Sequence, residues 1–345
     1  MKQGCYTALI TPFTPAGDLD RDGLSGLIDF QIENRITGIL ATGTTGESPT
    51  FKWDEHNLVI DLIAKQTKGK CKCIAGTGSN NTDEALAGTS HAAEQGVDAV
   101  LLVDPYYNGP SSLEIRREYY ELVAREIAGM TIIPYIIPGR TGAQMLPQDL
   151  AILADNCANV TSVKEATGNI DNMRLTRKLC GDGFNIFSGD DALVCQIMAD
   201  EQIRACGAIS VMSNIAPATM TQMVELLNQG KTQEALALQT ALSPLLDLVV
   251  ITTEEESKYG PVTCRARNPL PLKTMMQILG MPCGPCRAPL GKVTRKGFDL
   301  ALSALKKVQA DNPEILAPAA AFFNLDIDAR LNDSAVHENL WYDNY

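Results

Sequence analysis

The sequence predicts a closed (β/α)8 barrel, the TIM-barrel fold, carrying a C-terminal helical cluster. Three observations carry that prediction. Eight short apolar, β-branched runs recur along the first two thirds of the 345-residue chain. Amphipathic segments of helical length separate them, and strands that alternate with helices pair in parallel, because a parallel pair needs a crossover. The count of eight favours closure over the alternative, an open doubly wound sheet.

The runs are TALITPF (7–13), TGILAT (37–42), KCIAGTG (72–78), AVLLVDP (99–105), TIIPYII (131–137), VTSVKEA (160–166), NIFSGDD (185–191) and GAISV (207–211). Between them lie helical patterns at 23–33, 54–65, 82–95, 112–127, 147–154, 169–179 and 192–200. Thr82 before Asp83 and Glu84, and Asp54 before a helix-forming stretch, read as helix starts. After Ser210 only helical periodicity remains, at 216–228, 232–250, 270–279 and 297–309. The expected division is therefore a barrel over 1–230, packed helices over 231–309 and an irregular tail over 310–345.

Composition excludes several function classes. Lys and Arg number 29 against 41 Asp and Glu, a net charge of −12. Such a chain repels phosphate backbones and anionic lipid, so neither nucleic acid nor membrane is an expected partner. No apolar run is long enough to span a bilayer, and the N-terminus lacks the pattern of a signal peptide, which points to the cytoplasm. The ten cysteines sit mostly in apolar settings, as small buried thiols do. Cys283 and Cys286 have Cys-x-x-Cys spacing but lack two further zinc ligands at compatible spacing, so no metal is expected. No Walker loop, dinucleotide fingerprint, nucleophile elbow or His-Glu-x-x-His motif is present, and Asn81 stands where the third glycine after Gly76 and Gly78 would be. No cofactor is expected.

Chemistry in a closed barrel sits at the C-terminal ends of the strands. Lys164 interrupts a small, apolar strand, and alternation places it on one face with Ser162, with Val163 on the other. A desolvated amine is a nucleophile toward carbonyls. The other reading of Lys164 is an ion pair with Glu165 or an aspartate of strand seven. Tyr135, one strand away, is either a proton relay or a core tyrosine. Thr44 and Thr45 follow a glycine and either bind a carboxylate or make an ordinary turn. Arg140, in Gly-Arg-Thr-Gly, either grips a carboxylate through paired hydrogen bonds or is a solvated loop residue.

At these residues the sequence resembles the 4-hydroxy-tetrahydrodipicolinate (dihydrodipicolinate) synthase family of class I pyruvate aldolases. The matching segments are GTTGES (43–48), DEH (54–56), AGTGSN (75–80), PYYN (105–108), RTG (140–142), VKEATGN (163–169) and SGDD (188–191). Their order and approximate spacing match over residues 4 to about 305. The resemblance implies a lyase of lysine (diaminopimelate) biosynthesis that condenses pyruvate with L-aspartate 4-semialdehyde. It gives Lys164 the Schiff base, and gives Tyr135, Thr44 and Tyr107 a hydroxyl relay, with Tyr107 reaching in from a neighbouring subunit. Thr45 holds the pyruvate carboxylate, Arg140 the aldehyde's carboxylate, and Gly189 and Ile209 line the pocket with backbone groups. A homotetramer of two tight dimers is implied as well.

The resemblance also implies inhibition by L-lysine at Ser48, Trp53, His56, Asn80, Glu84 and Tyr106, which follow strands two to four and so share one rim. Glu84 suits an ammonium group, Tyr106 and Asn80 a carboxylate, and Trp53 the methylenes. Departures from the family pattern are Ile136 in place of asparagine, Gly139 in place of serine, about three extra residues between SGDD and GAIS, and a longer tail. The alternative function is another pyruvate aldolase or lyase acting on a sugar acid such as N-acetylneuraminate. Arg140 separates the two, because that group typically lacks arginine there.

Overall fold

The computed structural model describes residues 1–345. The eight runs form the strands of a closed parallel barrel: β1 (Gly4–Ala8), β2 (Gly38–Ala41), β3 (Lys72–Gly76), β4 (Ala99–Val103), β5 (Thr131–Ile136), β6 (Ser162–Glu165), β7 (Asn185–Ser188) and β8 (Gly207–Ser210). Closure occurs where β1 meets β8, with Gly4 opposite Gly207. A Cβ on Gly207 would overlap the Gly4 carbonyl and one on Gly4 would overlap the Thr37 hydroxyl, so both positions demand glycine.

The crossovers are α1 (Arg21–Glu33), α2 (Trp53–Thr67), α3 (Thr82–Glu94), α4 (Ser112–Ile115) running through a π turn into α5 (Glu121–Glu126), the short α6 (Pro138–Thr141), α7 (Pro147–Asn156), α8 (Ile170–Cys180) and α9 (Val194–Ala199). The helix cap of α3 is Asn81, whose side chain accepts from Asp83 N, one residue before the expected Thr82. Helix α2 begins at Trp53 behind Lys52 and has no side-chain cap.

Alternation along each strand divides the apolar residues into two cores. Ile132, Ile136 and Val163 face outward and pack under the helices in the large core. Tyr6, Leu40, Ile74, Leu101, Ile133, Tyr135, Phe187 and Ile209 face inward and plug the barrel. Tyr6 and Phe187 meet edge to face at 5.5 Å. Lys164 lies opposite Tyr135 on β5 and Phe187 on β7, so the lysine sits on top of an apolar plug.

Beyond the barrel come α10 (Pro217–Asn228) and α11 (Thr232–Leu246), then two elements that correct the expectation of helices alone. The segment read as a helix to Val250 stops at Leu246, and β9 (Val250–Ser257) and β10 (Gly260–Arg267) form an antiparallel hairpin. Its sequence, VITTEEES, is rich in β-branched residues and alternates buried Ile251 and Thr253 with exposed Thr252 and Glu254, a period of two. The chain continues through α12 (Leu270–Leu279), β11 (Val293–Thr294) and α13 (Arg295–Asp311).

The segment 310–345, expected to be irregular, is ordered as well: α14 (Ala317–Phe323), α15 (Ile327–Asn332) and β12 (Trp341–Tyr342), which pairs with β11. Local periodicity is too short there to register, and burial against the body supplies the order. Phe322 and Phe323 stack on the fully buried Phe30 of α1, while Trp341 packs on Phe298 at 4.6 Å.

Candidate active site

The C-terminal strand ends bring Thr44, Thr45, Tyr135, Arg140, Lys164, Gly189 and Ile209 to one end of the barrel. Lys164 is only 4% exposed. Its Nζ stands 4.3 Å from the centroid of the Tyr135 ring. Burial pushes its pKa down to about 7, Asp191 opposes that shift and Arg140 adds to it. Desolvation is the governing cause, and it leaves a large share of the amine neutral near pH 7.

The ion-pair reading of Lys164 fails on geometry. Glu165 points to the other face of β6, where it accepts from Thr167 N at 2.7 Å and Asn172 Nδ2 at 3.1 Å. Asp191 is buried and accepts from Val211 N at 2.9 Å and Met212 N at 2.7 Å, which ties it to the chain after β8. Asp191 therefore acts on the lysine through its field and makes no contact with it. Gly189 is needed for space: a Cβ there would lie 3.1 Å from Lys164 Cε and 2.8 Å from Ala166 Cβ.

Tyr135 is buried, and burial raises its pKa against the pull of Arg140 and the Thr44 hydroxyl. Thr45 accepts from Asn268 Nδ2 at 2.9 Å. Arg140 lies at the rim and donates Nη2 to the Asn268 carbonyl at 3.0 Å. Asn268, just before α12, thus holds two of the expected site residues at once. Sequence reading missed it, because a lone asparagine before a proline carries no chemical signal. Tyr107 stands apart from this group, 89% exposed and at φ +75°. A non-glycine residue in that conformation is uncommon and places the phenol outside its own barrel.

Glu47, within GTTGES, is fully buried and pairs with the equally buried Lys273 at 2.8 Å. Lys273 Nζ also donates to the carbonyls of Thr11 at 3.1 Å and Pro285 at 2.8 Å, and Glu47 Oε2 accepts from Arg287 N at 2.8 Å. The pair pins the threonine turn to the C-terminal helices.

A cavity of about 200 Å3 runs from Thr44 and Tyr135 to Ser48, Trp53, His56, Glu84 and Tyr106. Trp53 and His56 stack at 4.9 Å. Burial pushes the His56 pKa down to about 4 against Asn57 and the Gly76 carbonyl, so its ring is neutral at pH 7. Glu84 accepts from Ser79 Oγ at 2.6 Å. Asn80 is exposed and lies outside the cavity wall. All ten cysteines are unpaired, and Cys283 Sγ faces the Lys273 carbonyl at 3.6 Å. No helix is long and apolar enough to cross a membrane.

Comparison with known proteins agrees with this geometry. Residues 1–308 match the model of the dihydrodipicolinate synthetase family. The 4-hydroxy-tetrahydrodipicolinate synthase of Methanococcus maripaludis is 38% identical over 306 residues, 89% of this chain and 98% of that one. The structure of the corresponding enzyme from Methylacidiphilum fumariolicum superposes with a TM-score of 0.83 at 34% identity, covering 92% of this chain and 99% of that one. The lysine-bound enzyme of Cyanidioschyzon merolae superposes with a TM-score of 0.80 at 31% identity, covering 89% and 98%. With a matching barrel, a matching span and a buried lysine in its mouth, the chain belongs to the dihydrodipicolinate synthetase family.

Proposed function

We infer that this protein is a lyase that condenses pyruvate with L-aspartate 4-semialdehyde to 4-hydroxy-tetrahydrodipicolinate, a step of lysine biosynthesis. The observation that carries the inference is Lys164: buried inside the barrel, without an ion-pair partner, and against the ring of a tyrosine. Neutral Lys164 Nζ attacks the pyruvate ketone, and loss of water leaves a protonated Schiff base. Loss of a methyl proton from it gives an enamine, whose carbon attacks the aldehyde. The substrate's own amine then displaces Lys164 as the ring closes, which regenerates the free lysine. Tyr135 and Thr44 supply the hydroxyls that move protons in these steps. Tyr107, turned outward, completes the relay in a second copy of the chain. Thr45, itself held by Asn268, takes the pyruvate carboxylate, and the backbones of Gly189 and Ile209 line the pocket. Arg140 at the rim takes the aldehyde's carboxylate, and this favours an amino-acid semialdehyde over a sugar aldehyde.

The assembly this requires is at least a dimer, and a homotetramer of two such dimers accords with the resemblance. L-Lysine is the regulatory ligand we assign to the cavity beside Trp53, His56 and Glu84, which Ser48 and Tyr106 also line and Asn80 adjoins from outside its wall. The lysine-bound Cyanidioschyzon merolae enzyme supports that assignment. The experiment for the mechanism is borohydride reduction in the presence of pyruvate, followed by mass mapping. An adduct on Lys164 is expected; an adduct on another lysine, or none, contradicts the mechanism.

A further inference from the structure

The hairpin β9–β10 ends beside the rim of the pocket. Its last residue, Arg267, donates Nη1 to the Gly139 carbonyl at 3.0 Å. The residue after Gly139 is Arg140, which donates Nη2 back to Asn268, the residue after Arg267, at 3.0 Å. These reciprocal bonds clasp the loop after β5 to the base of the hairpin and bring two guanidinium groups to one rim. Arg265 lies two residues earlier on β10, so alternation sets it on the same face as Arg267.

None of these three arginines has a carboxylate partner. Arg116, Arg174 and Arg287 are all paired with carboxylates. Each rim guanidinium uses at most one of its five N–H donors on the protein, so donors remain free for an anion. The like charges also act on one another: after desolvation, Arg267 and Arg265 are the groups that lower the Arg140 pKa. An anion bound among them relieves that repulsion.

We propose that Arg267 and Arg140 together form the carboxylate subsite for the aldehyde substrate, with Arg267 as a specificity-determining residue presented by the hairpin and Arg265 strengthening the local field. This rests on the condensation reading above. Two guanidiniums hold a carboxylate in one orientation and so turn the aldehyde carbon toward the enamine on Lys164.

The test compares Arg267→Gln, which keeps a donor for the Gly139 carbonyl but loses the charge, with Arg267→Lys, which keeps the charge. The Michaelis constants for both substrates, the salt dependence of kcat/KM, and borohydride labelling with pyruvate alone are measured for each. Arg267→Gln is expected to raise the aldehyde KM about tenfold. The pyruvate KM stays within about twofold and labelling is unchanged, and the salt dependence weakens. Arg267→Lys is expected to keep most of the aldehyde affinity. The proposal is overturned if Arg267→Gln matches wild type, if both variants are equally impaired, or if the two KM values rise together. Failure of the wild type to be labelled on Lys164 strikes the condensation reading and leaves the anion subsite to be judged on the KM comparison.

Discussion

Arg140 shows how much one side chain decides. It makes a single hydrogen bond to the protein, to the Asn268 carbonyl, and leaves the remaining donors of its fork at the pocket rim. On the proposed reading, its removal takes the principal guanidinium from the aldehyde's carboxylate, a loss of about 1.5–3 kcal/mol, or on the order of ten- to a hundredfold in affinity. Arg140→Ala is therefore expected to raise the KM for aspartate semialdehyde by that factor while pyruvate labelling of Lys164 proceeds. Steady-state kinetics with each substrate varied in turn check this, and equal losses for both contradict the role. Lys164 sits at the same scale. Its depressed pKa comes from the apolar plug beneath it, and Arg at that position supplies no free amine, so Lys164→Arg is not expected to retain activity.

Between elements, two buried groups report on how the barrel is braced. The Glu47–Lys273 pair joins the turn after β2 to α12, and every donor of the ammonium has an acceptor. Removing one partner strands a buried charge, which destabilises by about 3–5 kcal/mol. Lys273→Met is expected to lower the denaturation midpoint sharply, and the double variant with Glu47→Gln to recover part of that loss; chemical denaturation of the two variants decides it.

Asp104, at the end of β4, is the second such group. Burial raises its pKa to about 7, against bonds from Met145 N at 3.0 Å and the Tyr120 hydroxyl at 2.8 Å. The Tyr120 hydroxyl lies equally close to the Leu102 carbonyl, and its one proton serves a single acceptor. A protonated Asp104 completes the network by donating to Tyr120 while Tyr120 donates to Leu102. The folded state thus binds more protons than the unfolded chain, whose carboxyl titrates near the ordinary value of 3.8. The Asp104 contribution to stability is complete below that value and is lost as pH rises through about 7. The stability difference between wild type and Asp104→Asn is expected to shift against the wild type as pH rises across that window. Melting curves at several pH values test it, and a constant difference refutes it.

For the whole molecule, the proposed regulation runs through the cavity. It joins Thr44 and Tyr135 at one end to Trp53 and Glu84 at the other, and Tyr106 on its wall is adjacent to the outward-turned Tyr107. On the proposed reading, a ligand that orders Tyr106 shifts the hydroxyl that Tyr107 offers to a second copy, and this would couple binding to rate. Millimolar L-lysine is expected to bind by calorimetry and to slow the wild type, with a weaker effect on Glu84→Ala. Absence of binding and inhibition in the wild type rejects the site, and undiminished inhibition of Glu84→Ala places it elsewhere.

Much of this protein is legible in local pattern. Eight β-branched runs separated by amphipathic helices specify the barrel, because a strand's period of two and a helix's period of 3.6 are written into consecutive residues. The same alternation puts Lys164 on one face with Ser162 and opposite to Val163 before any contact is known. Only the tertiary structure decides the rest. Asn268 reaches Thr45 across 223 positions, and Arg267 reaches Gly139 across 128. No local period encodes contacts at such separations. The order of the segment after Asp311 comes from Phe30, Phe298 and β11, partners that lie elsewhere in the chain. Whether Lys164 is a nucleophile or half of an ion pair was likewise undecided by its neighbours in sequence. Glu165 and Asp191 bond away from it, which removes the ion pair and supports the proposed nucleophile, because a charge is defined by what surrounds it in space.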